Sequence, residues 1–158
     1  MSGSSIPYGS PQLPVEHGDG FALPWVKQLT LQSEELNAEH EAVLAKLNNL
    51  LRALNSGDRN RIAMACSVMS AEARDHFAKE EELMRATDYP DATAHIEQHD
   101  DLMRRLASIR YAATYDAGMW SPSNALSKLE QWFVPHLSYA DRRLADFIAA
   151  RPAAPDTA

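Results

Sequence analysis

Apolar positions recur along this chain every three to four residues in four separate stretches, the spacing that gathers side chains on one face of an α-helix. The first stretch presents Leu36, His40, Val43, Leu44, Leu47, Leu51 and Leu54, follows a suitable N-cap at Ser33, and stops at "NSGD". The second starts around Asp58 or Asn60 and runs to about Thr87, where "DYPD" breaks it; its inward positions are Ile62, Cys66, Met69, Ala73, His76, Phe77, Glu80, Leu83 and Met84. The third starts near Asp91 with His95, His99, Leu102, Leu106, Ile109 and Ala113 inward. The fourth follows the loop "YDAGMWSPSN" and presents Leu126, Leu129, Phe133, His136, Leu137, Ala140, Leu144 and Ile148. No stretch of useful length alternates with the period of a strand, and no internal repeat is visible. Four amphipathic helices with short connections predict an all-α protein, an up-down-up-down four-helix bundle.

Length and composition agree with one domain, since 158 residues of which 45% are hydrophobic suffice for a single substantial core. The opening "MSGSSIPYGSPQLPVEHGDG" is rich in Ser, Gly and Pro, which predicts a flexible arm over residues 1–22, with the bundle over 23–150 and a flexible tail over 151–158. A net charge of −7 argues against a nucleic-acid or anionic-membrane surface. The arm lacks a basic start and an apolar run of signal-peptide length, and no segment is long enough for membrane insertion, so a cytoplasmic location is expected. The single cysteine, Cys66, falls on an inward stripe and is expected to pack as a small apolar group.

The stripes are interrupted by chemistry. In "DHFAKEEELM", residues 75–84, His76 and Glu80 occupy inward positions, and a lone buried carboxylate is costly unless a cation faces it. Five of the six histidines lie inward, at least one on each helix: His40, His76, His95, His99 and His136; the sixth, His17, belongs to the arm and is expected to be exposed and non-ligating. One histidine on an apolar face is ordinarily a satisfied core residue, but four helices presenting imidazoles to one core is a different pattern. His95 and His99 are one turn apart, His76 and Glu80 repeat that spacing, and Asp141 adds a second carboxylate. Five imidazoles and two carboxylates suit iron, zinc, copper or nickel. Seven side chains exceed the needs of one ion and suit two ions that share both carboxylates. With three imidazoles on one ion, two on the other and an oxo or hydroxo group between them, the second ion alone keeps an open position.

His136 and Asp141 present a geometric difficulty. Five residues apart on a regular helix, they point about 140° away from each other. Pro135, which has no N–H to give the carbonyl of Gln131, stands just before them. The sequence therefore predicts a kink, a widened turn or a missing backbone bond between about Gln131 and Asp141.

The set of His40, His76 with Glu80 in "HFAKE", His95 with His99 in "HIEQH", and His136 with Asp141 in "HLSYAD" resembles the hemerythrin family, in its bacterial single-domain form. The similarity extends through "PWVKQL", "LNAEHEAVLAKLNNLL", "EEELMRATDYP" and "LEQWF", roughly residues 24–148. The resemblance implies two iron ions with a bridging oxo or hydroxo group, a non-haem di-iron centre in the bundle core that binds dioxygen reversibly. It implies His95, His99 and His136 on the coordinatively full iron, His40 and His76 on the open one, Glu80 and Asp141 as bridges, and Trp132 and Phe133 as walls of the dioxygen pocket. Phe133 stands where relatives more usually have Leu, and Pro135 where they commonly have a polar residue.

The implied role is that of an oxygen carrier, store or supplier to an oxygen-consuming partner protein, with azide or nitric oxide as further ligands and no catalytic residue. The alternatives are a di-iron oxidoreductase acting on dioxygen, peroxide or nitric oxide, and an oxygen-sensing module. Ferritin-like oxygen-activating sites use four carboxylates and two histidines, and five neutral imidazoles make a less anionic centre, which favours binding over oxidation. No further titratable residue recurs on the inward stripes near these positions. Glu34, Glu35, Glu39 and Glu41 around His40 read as a solvated face, one of them available to accept a hydrogen bond from an imidazole.

Overall fold

The computed structural model describes residues 34–116 and 121–152. The expected arm over residues 1–22 with His17, the Ser33 cap, the side chains of Glu34 and Glu35, the middle of the third loop and residues 153–158 of the tail lie outside the described residues. Within them the chain forms α1 (Glu34–Ser56), α2 (Arg59–Ala86), α3 (Ala92–Tyr115) and α4 (Pro122–Pro135). A π-helical segment, His136–Asp141, continues α4 into α5 (Arg142–Ala149). The architecture is an all-α four-helix bundle whose fourth rod is α4, the π segment and α5 in sequence.

The chain breaks where its chemistry requires. Gly57 takes a φ of 69°, the left-handed conformation that ends α1 at little cost for glycine. One residue on, the Asp58 carboxylate accepts from the Arg61 N–H at 3.1 Å and caps α2. After α2, the Tyr89 N–H reaches back to the Met84 carbonyl at 2.9 Å, which closes the "DYPD" corner. Ser121 caps α4 and Pro122 occupies its first turn, where a missing N–H has no cost.

Burial follows the stripes closely. Every inward position expected on α1 and α3 is buried, and all those on α2 except Leu83, which is half-buried. On the fourth rod the expected stripe needs correction: Leu126, Ala140 and Ile148 are half-buried, while Ala125 and Ala145 are buried, and Asp141 is buried as expected. The shift beyond Leu137 follows from the π segment, which takes up one extra residue and rotates the later side chains relative to a continuous α-helix.

The core has two unequal parts. A large apolar cluster runs from Val43 to Leu54 on α1, Ile62 to Phe77 on α2, Leu102 to Ala113 on α3 and Ala125 to Leu137 on the fourth rod. Smaller groups, Leu36 with Ala145 and Met84 with Tyr89 and Leu144, close the opposite end. Between them, at one level on all four rods, lie His40, His76, Glu80, His95, His99, His136 and Asp141. Cys66 is fully buried in the large cluster, and burial pushes its thiol up to about 12. Among the described residues no helix is long and apolar enough to cross a membrane.

Candidate metal centre

Each rod contributes to the polar layer by its own local geometry. On α2, His76 and Glu80 are four residues apart, and a regular helix stacks both on one face. His95 and His99 do the same on α3, and His40 sits one turn after Leu36 on α1. On the fourth rod, His136 and Asp141 are the first and last residues of the π segment, whose wider turn brings the fifth residue on back toward the first. The predicted distortion is therefore present as a widened turn. All seven side chains belong to residues no more than 3% exposed.

The two carboxylates divide the layer between their oxygens. Glu80 Oε1 lies 3.3 Å from His76 Nε2 and 3.8 Å from His40 Nε2, while Glu80 Oε2 lies 3.1 Å from His99 Nε2 and 3.5 Å from His95 Nε2. Asp141 Oδ2 lies 3.1 Å from His40 Nε2, and Asp141 Oδ1 lies 3.1 Å from His95 Nε2 and 3.0 Å from His136 Nε2. Two groups of ligand atoms result, each with all its atoms within 4.8 Å of one another: Glu80, His95, His99, His136 and Asp141 in one, His40, His76, Glu80 and Asp141 in the other. Both carboxylates belong to both groups.

These close approaches are not a finished hydrogen-bond network. All five Nε2 atoms, Glu80 Oε2 and both Asp141 oxygens are buried without a hydrogen-bond partner. Buried polar atoms rarely stay unsatisfied, and so many in one place mark a site built for something other than the protein's own groups. Their chemistry fits metal cations: neutral imidazole nitrogens and ionised carboxylates, closely grouped and shielded from water.

Electrostatics points the same way. Burial would raise the Glu80 pKa, but His40, His76, His95 and His99 together hold it well below the ordinary carboxylate range. Burial and the neighbouring Glu80 likewise oppose ionisation of Asp141, and His136 and His40 overcome both, so its pKa is also lowered. Burial would lower the pKa of His40 and His95, yet Asp141 and Glu80 hold each up at about 9. His136 is the exception, since burial outweighs Asp141 and lowers its pKa. Two carboxylates kept ionised in an apolar interior draw positive charge into the layer, and cations satisfy that demand without protonating the imidazoles.

Aromatic rings close around the layer. Phe77 stacks on His99 with centroids 3.8 Å apart and planes 6° from parallel, and Trp132 stacks on His136 at 4.4 Å and 24°. Phe133 is 2% exposed and meets the Trp132 ring edge-on. Of the two aromatics expected beside the site, Trp132 thus covers an imidazole of the five-residue group and Phe133 extends the large apolar cluster up to the layer.

Two polar partners were not anticipated. Glu81 Oε1 lies 3.1 Å from His99 Nδ1, and Gln98 Oε1 lies 2.8 Å from His136 Nδ1. Neither is on an inward stripe, which is why a search of the stripes passes over them; the available signal was a carboxylate and an amide directly beside Glu80 and His99. Of the glutamates around His40, the two whose side chains are described do not play this part: Glu41 is exposed, and Glu39 forms a surface ion pair with Lys79.

The family model described as "Hemerythrin HHE cation binding domain" matches residues 31–148. A bacteriohemerythrin of Stenotrophomonas maltophilia is 27% identical over 81% of this chain and 82% of its own length. One from Ralstonia nicotianae is 26% identical over 82% and 90%. A hemerythrin-like protein of Naegleria gruberi is 23% identical over 75% and 87%. Two solved structures share the fold, both covering 73% of this chain and 88% of their own with a TM-score of 0.64: a leucine-to-phenylalanine mutant at 22% identity and a hemerythrin leucine-to-tyrosine mutant at 21%.

Proposed function

This chain belongs to the hemerythrin family, proteins of the non-haem iron, oxygen-binding type, and from that premise we propose that it binds dioxygen reversibly at a di-iron centre. His95, His99 and His136 would hold one iron, His40 and His76 the other, and Glu80 and Asp141 both. The observation that carries this reading is the division of the carboxylates: one oxygen of each faces the two-histidine side and the other the three-histidine side. The unequal histidine count supports an open position on the His40 and His76 side, where a small molecule can enter.

Two iron ions held by these residues would supply the reversible two-electron chemistry that dioxygen binding needs. The remaining tasks fall to the chain. Leu36, Met84, Leu144 and Ala145 above the layer and Phe77, Leu102, Phe133 and Leu137 below it exclude water, and with it an external proton source. The imidazoles are neutral ligands, so the centre carries less negative charge than a carboxylate-rich one and favours release over further oxidation. Among the described residues no carboxylate or imidazole beyond these seven is buried, and the one phenol beside the layer, Tyr89, is held protonated by burial.

The test is an anaerobic optical titration of iron-loaded protein with dioxygen, followed by removal of the gas. A visible band that appears with dioxygen and disappears under inert gas over repeated cycles is the expected result. Irreversible bleaching or steady consumption of dioxygen with a reductant would replace binding by oxidase chemistry.

A further inference from the structure

The seven side chains of the layer are not supported equally from outside. An ionised carboxylate can only accept a hydrogen bond, so the contact at 3.1 Å between Glu81 Oε1 and His99 Nδ1 fixes the proton on Nδ1 and leaves the Nε2 lone pair free. The Gln98 amide oxygen does the same for His136 at 2.8 Å. The two contacts pass from helix to helix: Glu81, beside Glu80 on α2, supports a histidine of α3, and Gln98, beside His99 on α3, supports a histidine of the π segment. By contrast, the Nδ1 atoms of His40, His76 and His95 are buried without a hydrogen-bond partner. Both supported imidazoles belong to the five-residue group, and neither histidine peculiar to the four-residue group has support.

We propose that Glu81 is a positioning residue for the metal centre, orienting His99 and adding negative charge behind it, so that the five-residue group binds its cation more firmly than the four-residue group. The chemistry is that of a carboxylate behind a metal-bound imidazole: it fixes the ring and its tautomer and makes the free nitrogen a better donor. Gln98 fixes the His136 ring in the same way but brings no charge. This inference rests on the two-ion reading of the centre.

Cobalt(II) titration of metal-free full-length protein against a competing chelator tests it, with a thermal melt of each metal-free variant as a folding control. Native protein should take up two cobalt ions with unequal affinity. Glu81→Leu should weaken the tighter step about 10–100-fold and shift its visible bands. The metal-free melting point should stay put, because the Glu81 side chain is 33% exposed and packs no core. Glu81→Gln, which keeps an acceptor and loses the charge, should restore most of the affinity, yet the iron-loaded form should show a higher midpoint potential than native protein. Glu82→Leu, on the exposed neighbour, should change neither step. If Glu81→Leu misfolds, Gln98→Ala reads the equivalent contact on His136 and should weaken the same step. Two cobalt ions bound to Glu81→Leu as tightly as to native protein, or equal weakening by Glu82→Leu, would overturn the proposal. Native protein that takes up fewer than two ions would instead overturn the two-ion reading itself.

Discussion

Two histidine–carboxylate pairs reach the same polar layer from two rods, and they do so in different ways. His76 and Glu80 on α2 are four residues apart, His136 and Asp141 on the fourth rod five apart. On α2 an ordinary helix suffices, because four residues bring the chain round to within about 40° of the same direction. On the fourth rod an ordinary helix would fail, and the backbone widens into a π segment bounded by those two residues. The comparison shows the backbone accommodating side-chain convergence: where the sequence supplies one residue too many, the helix absorbs it and the shared face is kept. Single-turn π segments are often found at functional sites for the same reason.

The most severe test of this contrast removes one residue from each rod. Tyr139, 71% exposed, lies inside the π segment; without it His136 and Asp141 would be four apart, and the buried series through Leu144 and Ala145 would fall into regular three-four spacing. Deleting Tyr139 should therefore leave a folded bundle with a melting point within a few degrees of native. Deleting Ala78, also exposed but within a regular turn, rotates the two ends of α2 by about 100° relative to each other. Either Glu80 and Met84 or the Ile62–His76 stripe then leaves the core. At roughly 1.5–3 kcal/mol per large buried side chain, with the polar layer broken as well, either loss is a large share of the about 5–15 kcal/mol that holds a typical domain, so the variant should melt far below native protein or fail to fold. Circular-dichroism melts compare the two, and equal damage from both deletions would end the extra-residue account.

A smaller effect separates the two pairs by their carboxylates. Glu80→Ala and Asp141→Ala should each reduce metal content from two ions per chain to one or fewer, measured by elemental analysis of purified protein. Each carboxylate presents an oxygen to both ligand groups, so neither loss should be confined to one side. Full occupancy in either variant would remove that residue from the bridge. Stripping the metal from native protein should also lower its melting point, by about 2.7 kcal/mol of stability for each ligand held at a hundred times its dissociation constant.

The same contrast marks what was legible in the sequence. Stripes on α1, α2 and α3 could be followed because a regular helix keeps its period, and there Leu83 alone lies less deep than expected. On the fourth rod Ala140 was expected inward and is half-buried, since a fixed period cannot know that one residue has been absorbed. The warning was present in the five-residue spacing itself, which predicted a distortion without saying which of three kinds. Glu81 and Gln98 were missed for a different reason. They act sideways, from positions beside the stripe toward the next helix, and only packing decides which neighbour such a side chain meets.

Aromatic neighbours offer a finer comparison. Phe77, directly after His76, is stacked on His99, so its ring is fixed by the layer itself, whereas Phe133 belongs to the apolar cluster just below it. Phe133→Leu should cost no more than about 1.5 kcal/mol, as similar-sized core exchanges do. It should change the rate of azide or dioxygen entry, followed by stopped-flow absorbance, by a larger factor than it changes the folding equilibrium. Unchanged ligand kinetics would take Phe133 out of the entry route.

The smallest expected effect concerns which feature makes the π segment, Pro135 or the pair that bounds it. Pro135 deprives the Gln131 carbonyl of its partner, and a proline inside a regular helix costs about 3 kcal/mol. Little of that is recoverable here. Gln131 and Pro135 are both exposed, a setting in which water can serve a carbonyl left without its helical partner. Replacing proline also loosens the unfolded chain, which offsets about 0.4–1 kcal/mol of any gain. Pro135→Ala should therefore raise stability by no more than about 1 kcal/mol. If His136 and Asp141 dictate the widened turn, the variant keeps it, because a restored bond at residue 135 lies one turn before the segment and leaves the five-residue spacing unchanged. Two bound ions and native-like spectra in Pro135→Ala are then expected. Loss of one ion together with a large gain in stability would show instead that proline opens the helix and that the pair merely exploits the opening.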